Sequence, residues 1–179
     1  MLSEILADIT NHWLDAKLQK KHPFRFFTLT TVTKEHHPKS RTVVLRDFDK
    51  PTMTFTIFTD GRSQKVAHLV HNKKVQLLFY NPNKLLQVIV SAHLKEQLQT
   101  NDIFLSLPEP SKKDYTSSVA PGQIIKAPDG VHYDLEDSHF TQLLFKADEI
   151  EILRLKRPNH IRCVYTSNEN TWEGRFLAP

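Results

Sequence analysis

The sequence predicts a mainly β protein: a closed or nearly closed barrel of short-turned strands with a few flanking helices. Three observations carry this. Segments rich in β-branched and aromatic residues recur along most of the chain. The clearest, Met53-Thr54-Phe55-Thr56-Ile57-Phe58-Thr59, alternates Met53, Phe55 and Ile57 on one side with three threonines on the other. The connections are short and carry turn chemistry, as in Asp47 to Pro51 and Asn81-Pro82-Asn83. Helical periodicity is confined to three stretches. Many strands and few helices favour closure, because closing a sheet removes its unpaired edges. Four glycines are few for a barrel, so bulges would have to supply the bends.

Taken in order, residues 3 to 18 place Ile5, Leu6, Ile9, Trp13, Leu14 and Leu18 on one helical stripe, with Ser3 as the expected cap. Lys20-Lys21-His22-Pro23 ends that helix. Phe24 to Val32 is a strand, and Lys34 to Ser40 a polar loop. Arg41 to Arg46 and Met53 to Thr59 are two more strands. The chain then turns at Asp60-Gly61 into a helix from Arg62 to about Asn72. Lys74 to Tyr80 and Leu85 to Leu94 follow as strands, and Leu98 to Leu107 as a short helix. Residues 108–134, with Pro108, Pro110, Pro121, Pro128, Gly122 and Gly130, form an irregular exposed excursion rather than a linker. Strands return at Phe140 to Lys146, Glu149 to Leu155, Ile161 to Thr166 and Trp172 to Leu177. Both flanks of the excursion belong to one sheet system, so residues 1–179 are expected to form a single domain.

A chain of 179 residues is long enough for one substantial core. A hydrophobic fraction of 39% with 25% charged residues is that of a globular protein. The net charge of +4 favours anionic partners in general. Nucleic-acid binding is not expected, because the basic residues form no long stripe with interleaved aromatics. The lone cysteine, Cys163, excludes an intrachain disulfide framework and a multi-cysteine metal site. It fits a reducing compartment and reads as a small buried hydrophobe. The first twenty residues lack the apolar core of a secretion signal, and Leu85 to Leu94 is too short to span a bilayer. A cytoplasmic location is the default. No metal site is expected, since His36 and His37 lie in a polar loop and no spacing links them to His93 or His132.

The stretch from Arg41 to Lys65 carries the chemistry. Arg41, Arg46, Arg62 and Lys65, with hydroxyls at Thr59 and Ser63, fall on strand edges and at a helix start. The first amides of a helix lack internal partners and attract anions. Guanidinium groups add bidentate donors to a phosphate, and a lysine adds a point charge. The residues alone therefore read as a phosphate-binding corner. Four basic residues in such a stretch are also ordinary for a chain this basic.

Separated motifs then coincide in order: Arg41-Thr42-Val43-Val44-Leu45-Arg46, Phe58-Thr59-Asp60-Gly61-Arg62-Ser63-Gln64-Lys65, Val75 to Tyr80 with Leu86-Gln87-Val88, Ile150-Glu151, His160-Ile161-Arg162, and the closing Trp172 to Pro179. This arrangement resembles the pyridoxamine 5′-phosphate oxidase family, and the resemblance runs from about Phe24 onward. It implies an FMN-binding split β-barrel with flanking helices, assembled as a homodimer with FMN in clefts between subunits. It also implies that Arg41 begins the strand that binds the phosphate and ribityl chain, with Val43, Val44 and Leu45 beneath the cofactor. Arg46 takes the place of a family lysine near the flavin and substrate. Phe58 and Thr59 match a flavin-contacting pair, and Ser63, Gln64 and Lys65 a phosphate-binding run. Gln87 matches a glutamine that reaches the cofactor across the interface, Arg162 the arginine of the closing flavin contacts, and Gln123 a glutamine of the partner's loop.

The departures bear on function. Gln64 stands where the family has a phosphate-binding arginine, for which Arg62 is positioned to compensate. Ile103 and Leu107 replace a tyrosine and an arginine that hold the substrate phosphate, and Pro158 replaces another arginine. Leu153 replaces a flavin-contacting tryptophan. Losing a phosphate-clamping arginine removes a charge-assisted pair that nothing nearby restores. The expectation is an FMN-dependent oxidoreductase with a changed, unidentified small-molecule substrate, with Arg46 and His160 facing it. The alternatives are a non-catalytic FMN carrier or sensor, and a true pyridoxamine 5′-phosphate oxidase.

Overall fold

The computed structural model describes residues 1–168 and 171–179. Helix α1 (Leu2–Leu18) buries Ile9, Trp13 and Ala16 completely. The Trp13 indole meets Phe55 edge-on at 4.8 Å between centroids and packs against Phe48 and Phe79, so one side chain joins three strands. The helix begins one residue before Ser3, with Met1 at its cap position and no capping side chain, so Ser3 does not have the expected role. Leu18 leaves the stripe and is 77% exposed. Arg25 Nη1 donates to Ala16 O and Lys17 O, satisfying carbonyls that the end of the helix leaves open.

Strands β1 (Phe26–Val32) and β2 (Pro38–Val44) form a hairpin, and a short β3 (Asp47–Asp49) leads into β4 (Thr54–Asp60). Helix α2 (Gln64–His71) follows, then β5 (Lys74–Asn81) and a long β6 (Leu86–Leu98). The expected helix from Leu98 shrinks to α3 (Asn101–Ser106), because β6 continues pairing to Leu98. The excursion holds a short α4 (Glu109–Lys113) and a 3-10 turn at Pro128–Gly130. The two expected strands from Phe140 to Leu155 are one continuous β7 (Phe140–Arg154). β8 (Ile161–Asn168) and β9 (Thr171–Leu177) close the chain.

The barrel expectation is overturned. The fold is mixed α/β, an open antiparallel sheet with flanking helices, in the order β2-β1-β5-β6-β7-β4-β3 with β8 and β9 branching from β7. β7 serves two neighbours on one side: Phe140 to Lys146 pair with β4, and Glu149 to Arg154 pair with β8. Closure would need a ladder between the ends of the path. Beyond β2, among the described residues, the backbone reaches β4 by one bond, Arg46 N–H to Thr56 O at 2.9 Å. The sheet needs no closure at this edge, because the outer side of β2 is blunted by Pro38, Lys39 and Arg41. The bends do come from register shifts, between Ser91 and Ala92 and between Leu94 and Glu96, as the scarcity of glycine requires.

The sheet has two faces of different character. Leu29, Leu77, Val88, Val90, Ile152 and Cys163 point into the core under α1 and α2. Thr28, Leu78, Gln87, Leu153 and Arg162 alternate to the other face, which no helix covers among the described residues. A second, smaller core joins Phe104, Tyr115 and Phe140, with Phe58, Ile103 and Leu107 against it. That cluster anchors the excursion to the Phe140 end of β7. Among the described residues no helix is long and apolar enough to cross a membrane.

Candidate functional site

The turn from β4 into α2 builds the corner. Gly61 N–H donates to His139 O at 2.8 Å, and a Cβ on Gly61 would lie 2.6 Å from Thr141 Oγ1. Only glycine lets the chain pass that close, so the position of Ser63 depends on it. Ser63 is the N-cap of α2, but its hydroxyl makes no capping bond. It lies instead 3.1 Å from Lys65 Nζ and 3.3 Å from Thr59 Oγ1. Lys65 Nζ also donates to Thr59 Oγ1 at 2.8 Å. One ammonium, two hydroxyls and the free amides of a first helical turn therefore converge.

Arg41 enters from β2. Its Nη1 donates to Leu29 O at 3.2 Å and to Thr31 Oγ1 at 2.8 Å. Thr31 Oγ1 also lies 2.9 Å from His68 Nδ1, close enough for a hydrogen bond in either direction. Burial, followed by the charges of Arg41 and Lys39, holds the His68 pKa down. Lys65 is affected most: burial, reinforced by Arg41, lowers its pKa from 10.5 to about 8. Arg41 and the desolvated ammonium of Lys65, neither bonded to a carboxylate among the described residues, form a site short of negative charge. That fits a phosphate monoester.

Arg62 does not join them. Its guanidinium forms a forked pair with the buried Asp60, at 3.1 and 2.7 Å, and donates to Ser117 O at 2.7 Å. Rather than standing in for the missing arginine, it straps the excursion to the turn. The hydrogen bond to Asp60 raises its pKa. Gln64 is exposed, and Gly122, at φ +90°, is seated against its side chain. Gln123 follows on the exposed excursion.

Arg46 lies over the Phe58 ring, 5.4 Å from its centroid, beside Tyr115. Its Nε is buried without a hydrogen-bond partner, a donor available to a ligand acceptor. Phe58 in turn meets Phe140 at 5.0 Å. Of the strand expected to underlie a cofactor, Val43 packs against the core, Leu45 is wholly buried in it, and Val44 pairs with Phe26 across the hairpin.

The other expected residues lie elsewhere. Gln87 pairs with Leu153, and Leu153 with Arg162, on the outer face of the sheet. Arg162 is held by Glu151 at 2.9 Å. His160 sits at the corner between β7 and β8, where its Nδ1 accepts from Lys156 N–H at 3.1 Å. Phe140 and Arg154 mark opposite ends of β7, a strand of 15 residues. Fully extended it would span roughly 45 Å. Arg46, over Phe58 and so at the Phe140 end, and His160, beyond Arg154, thus belong to opposite ends of β7. Tyr115, Asp60 and Ser117 are the residues that sequence reasoning missed. They lie in or against the excursion, where no periodicity marks what packs inward.

Residues 7–95 match the model of the pyridoxamine 5′-phosphate oxidase FMN-binding domain, a span that includes the whole corner and Gln87. The chain belongs to the pyridoxamine 5′-phosphate oxidase-related, FMN-binding family. FMN is the cofactor of this family's domain. The chain is 24% identical to a pyridoxine/pyridoxamine 5′-phosphate oxidase of Trichormus variabilis, covering 99% of this chain and 92% of the relative. It is 26% identical to one from Shewanella pealeana, over 96% and 88%. Among solved structures, a pyridoxamine 5′-phosphate oxidase-related, FMN-binding protein from Nostoc punctiforme superposes with a TM-score of 0.78 at 20% identity, covering 96% of each chain. PhzG from Burkholderia lata, in complex with tetrahydrophenazine-1-carboxylic acid, gives 0.75 at 16% identity, over 97% and 92%. At these identities the structural likeness speaks for the fold alone.

Proposed function

We propose that the protein is an FMN-dependent oxidoreductase whose substrate is not pyridoxamine 5′-phosphate. One observation carries the reading: an anion corner that fits the cofactor phosphate stands beside an apolar wall where a substrate phosphate would need cations. Lys65, Arg41, Thr59 and Ser63 supply donors to the phosphate. At the other end, Ile103 and Leu107 pack against Phe104, Tyr115 and Phe140, so the two positions that the resemblance assigns to a phosphate-holding tyrosine and arginine carry no donor, although the Lys112 ammonium lies over the Phe104 ring. Bound FMN supplies the redox step, and the chain supplies position and electrostatics. Arg46, with its unpartnered Nε, is the donor for the flavin edge or an acceptor on the substrate.

The site is completed by a second copy of the chain. Gln87, Arg162 and His160 cannot reach the corner of their own subunit, but they lie on or beside an outer face carrying Leu78, Tyr80, Leu85, Leu153 and Leu155. A homodimer across this face would bring one copy's Gln87 and Arg162 to the other's cofactor. Arg46 and His160 would then face a common substrate.

The closed contact of Arg46 and Tyr115 over Phe58 favours a second reading, a non-catalytic FMN carrier. The test is an absorbance spectrum after FMN addition and desalting, followed by anaerobic titration with NADPH and NADH. Retained flavin that bleaches and recovers in air supports the oxidoreductase. Retained flavin that neither nicotinamide reduces supports the carrier. Loss of flavin on desalting refutes both.

A further inference from the structure

A cavity of about 650 Å³ lies remote from the corner, between the first two turns of α1, the turn before β4 and the start of β9. It is within the range of roughly 300–1,000 Å³ that holds small organic ligands. Leu2, Leu6, Ala7, Met53 and Trp172 give it apolar walls, and Lys50 stands at its rim. Its end wall is fixed, because Tyr165 Oη donates to Leu2 O at 2.8 Å and pins the start of α1.

The electrostatics of the cavity are one-sided. Asp49, the nearest carboxylate in sequence to Lys50, accepts from both the backbone N–H and the hydroxyl of Thr52. Glu4 pairs with the chain's amino terminus at 3.1 Å. Glu173 alternates away from Trp172 along β9 and pairs with Thr166. No Asp or Glu lines the cavity among the described residues. Lys50 forms no ion pair among them either. An apolar trough ending in one uncompensated ammonium is complementary to a molecule with an apolar body and a single negative head.

We propose that this cavity is a second binding site, for an amphipathic monocarboxylate whose chain lies along Leu6 and Trp172 and whose carboxylate meets Lys50. It shares no residue with the FMN corner, so the two sites stand or fall separately.

The test titrates the full-length protein with dodecanoate, and with dodecanol as the uncharged control, followed by calorimetry and indole emission. Trp13 is fully buried in the core, so Trp172 is the reporting indole. Saturable dodecanoate binding is expected. Lys50→Glu should weaken dodecanoate by about tenfold or more while leaving dodecanol unchanged. Ala7→Phe, at an exposed helix position whose side chain would fill the cavity, should weaken both. Absence of saturation overturns the proposal, as does binding indifferent to Ala7→Phe, which would be adsorption elsewhere on the surface. A Trp172 emission shift with protein concentration alone, abolished by Ala7→Phe, would show a second copy covering the cavity and overturn it too.

Discussion

Lys65 Nζ lies 2.8 Å from Thr59 Oγ1, yet burial and the charge of Arg41 bring its pKa down to about 8. The folded lysine binds its proton more weakly than the unfolded one. Between pH 8 and 10.5 the unfolded chain therefore carries more protons, and the flavin-free protein should gain stability as pH rises through that window. FMN affinity should run the other way, because the phosphate meets a charged Lys65 only below about pH 8. Fluorescence titrations should show affinity falling by about tenfold from pH 7 to 9, and Lys65→Met should be weak and flat across that range. A pH-independent wild type would remove Lys65 from the phosphate site.

Arg62 and Lys65 sit three residues apart and should respond to mutation with opposite signs. Arg62→Ala strands the carboxylate of Asp60, which is 4% exposed, and releases Ser117 O. Thermal unfolding should report a loss of about 3 kcal/mol. Lys65→Met removes a desolvated charge and should stabilise the flavin-free protein while costing FMN affinity. A stability loss for both would mean that the corner is held together by its cations rather than strained by them.

Leu107→Arg restores one charge of the clamp that the family resemblance implies. It should yield no useful pyridoxamine 5′-phosphate turnover, because Ile103 still packs on the Phe104 cluster and Pro158 still lacks a guanidinium. Appreciable turnover from this single change would show that the missing arginine was the whole defect.

Leu78 lies on the uncovered face, with Thr28 and Ile89 as its cross-strand neighbours. Leu78→Glu should hold the chain as a monomer in sedimentation and abolish flavin retention at the same time. A monomer that still retains FMN would show the site complete within one chain, without the partner's Gln87 or Arg162.

Much of this was legible in the sequence, for identifiable reasons. The corner was readable because its parts are consecutive: a strand, a turn at Asp60-Gly61 and a helix start leave Ser63 and Lys65 little freedom. The core stripe of α1 was readable at Ile9 and Trp13, which repeat with helical spacing. Closure was not, because whether two distant strands meet depends on twist and register summed over the sheet, and no local pattern records that sum. The joining of two strands into β7 escaped for a related reason. Lys146-Ala147-Asp148 carries no strong β pattern, and its extended form is imposed by β6 alongside. Arg62 looked like a spare cation because its partner Asp60 reads as a turn residue. Ser117, its other partner, is 55 positions away.

The two shifts in pairing between β6 and β7 are each one extra residue, Asp148 on β7 beside Ser91 and Ala92, and Lys95 on β6 between Leu94 and Glu96. A bend built this way is insensitive to what the bulged side chain is, so substitutions at Lys95 should be tolerated while those at the buried Ala92 and Leu94 beside it should not. Removing a single residue there would realign every side chain beyond it to the opposite face, exchanging buried Leu94 for its polar neighbours. At the bulged position a drift of amino acids is nearly neutral while a loss of one codon is not, so there the length rather than the spelling is what inheritance has to preserve.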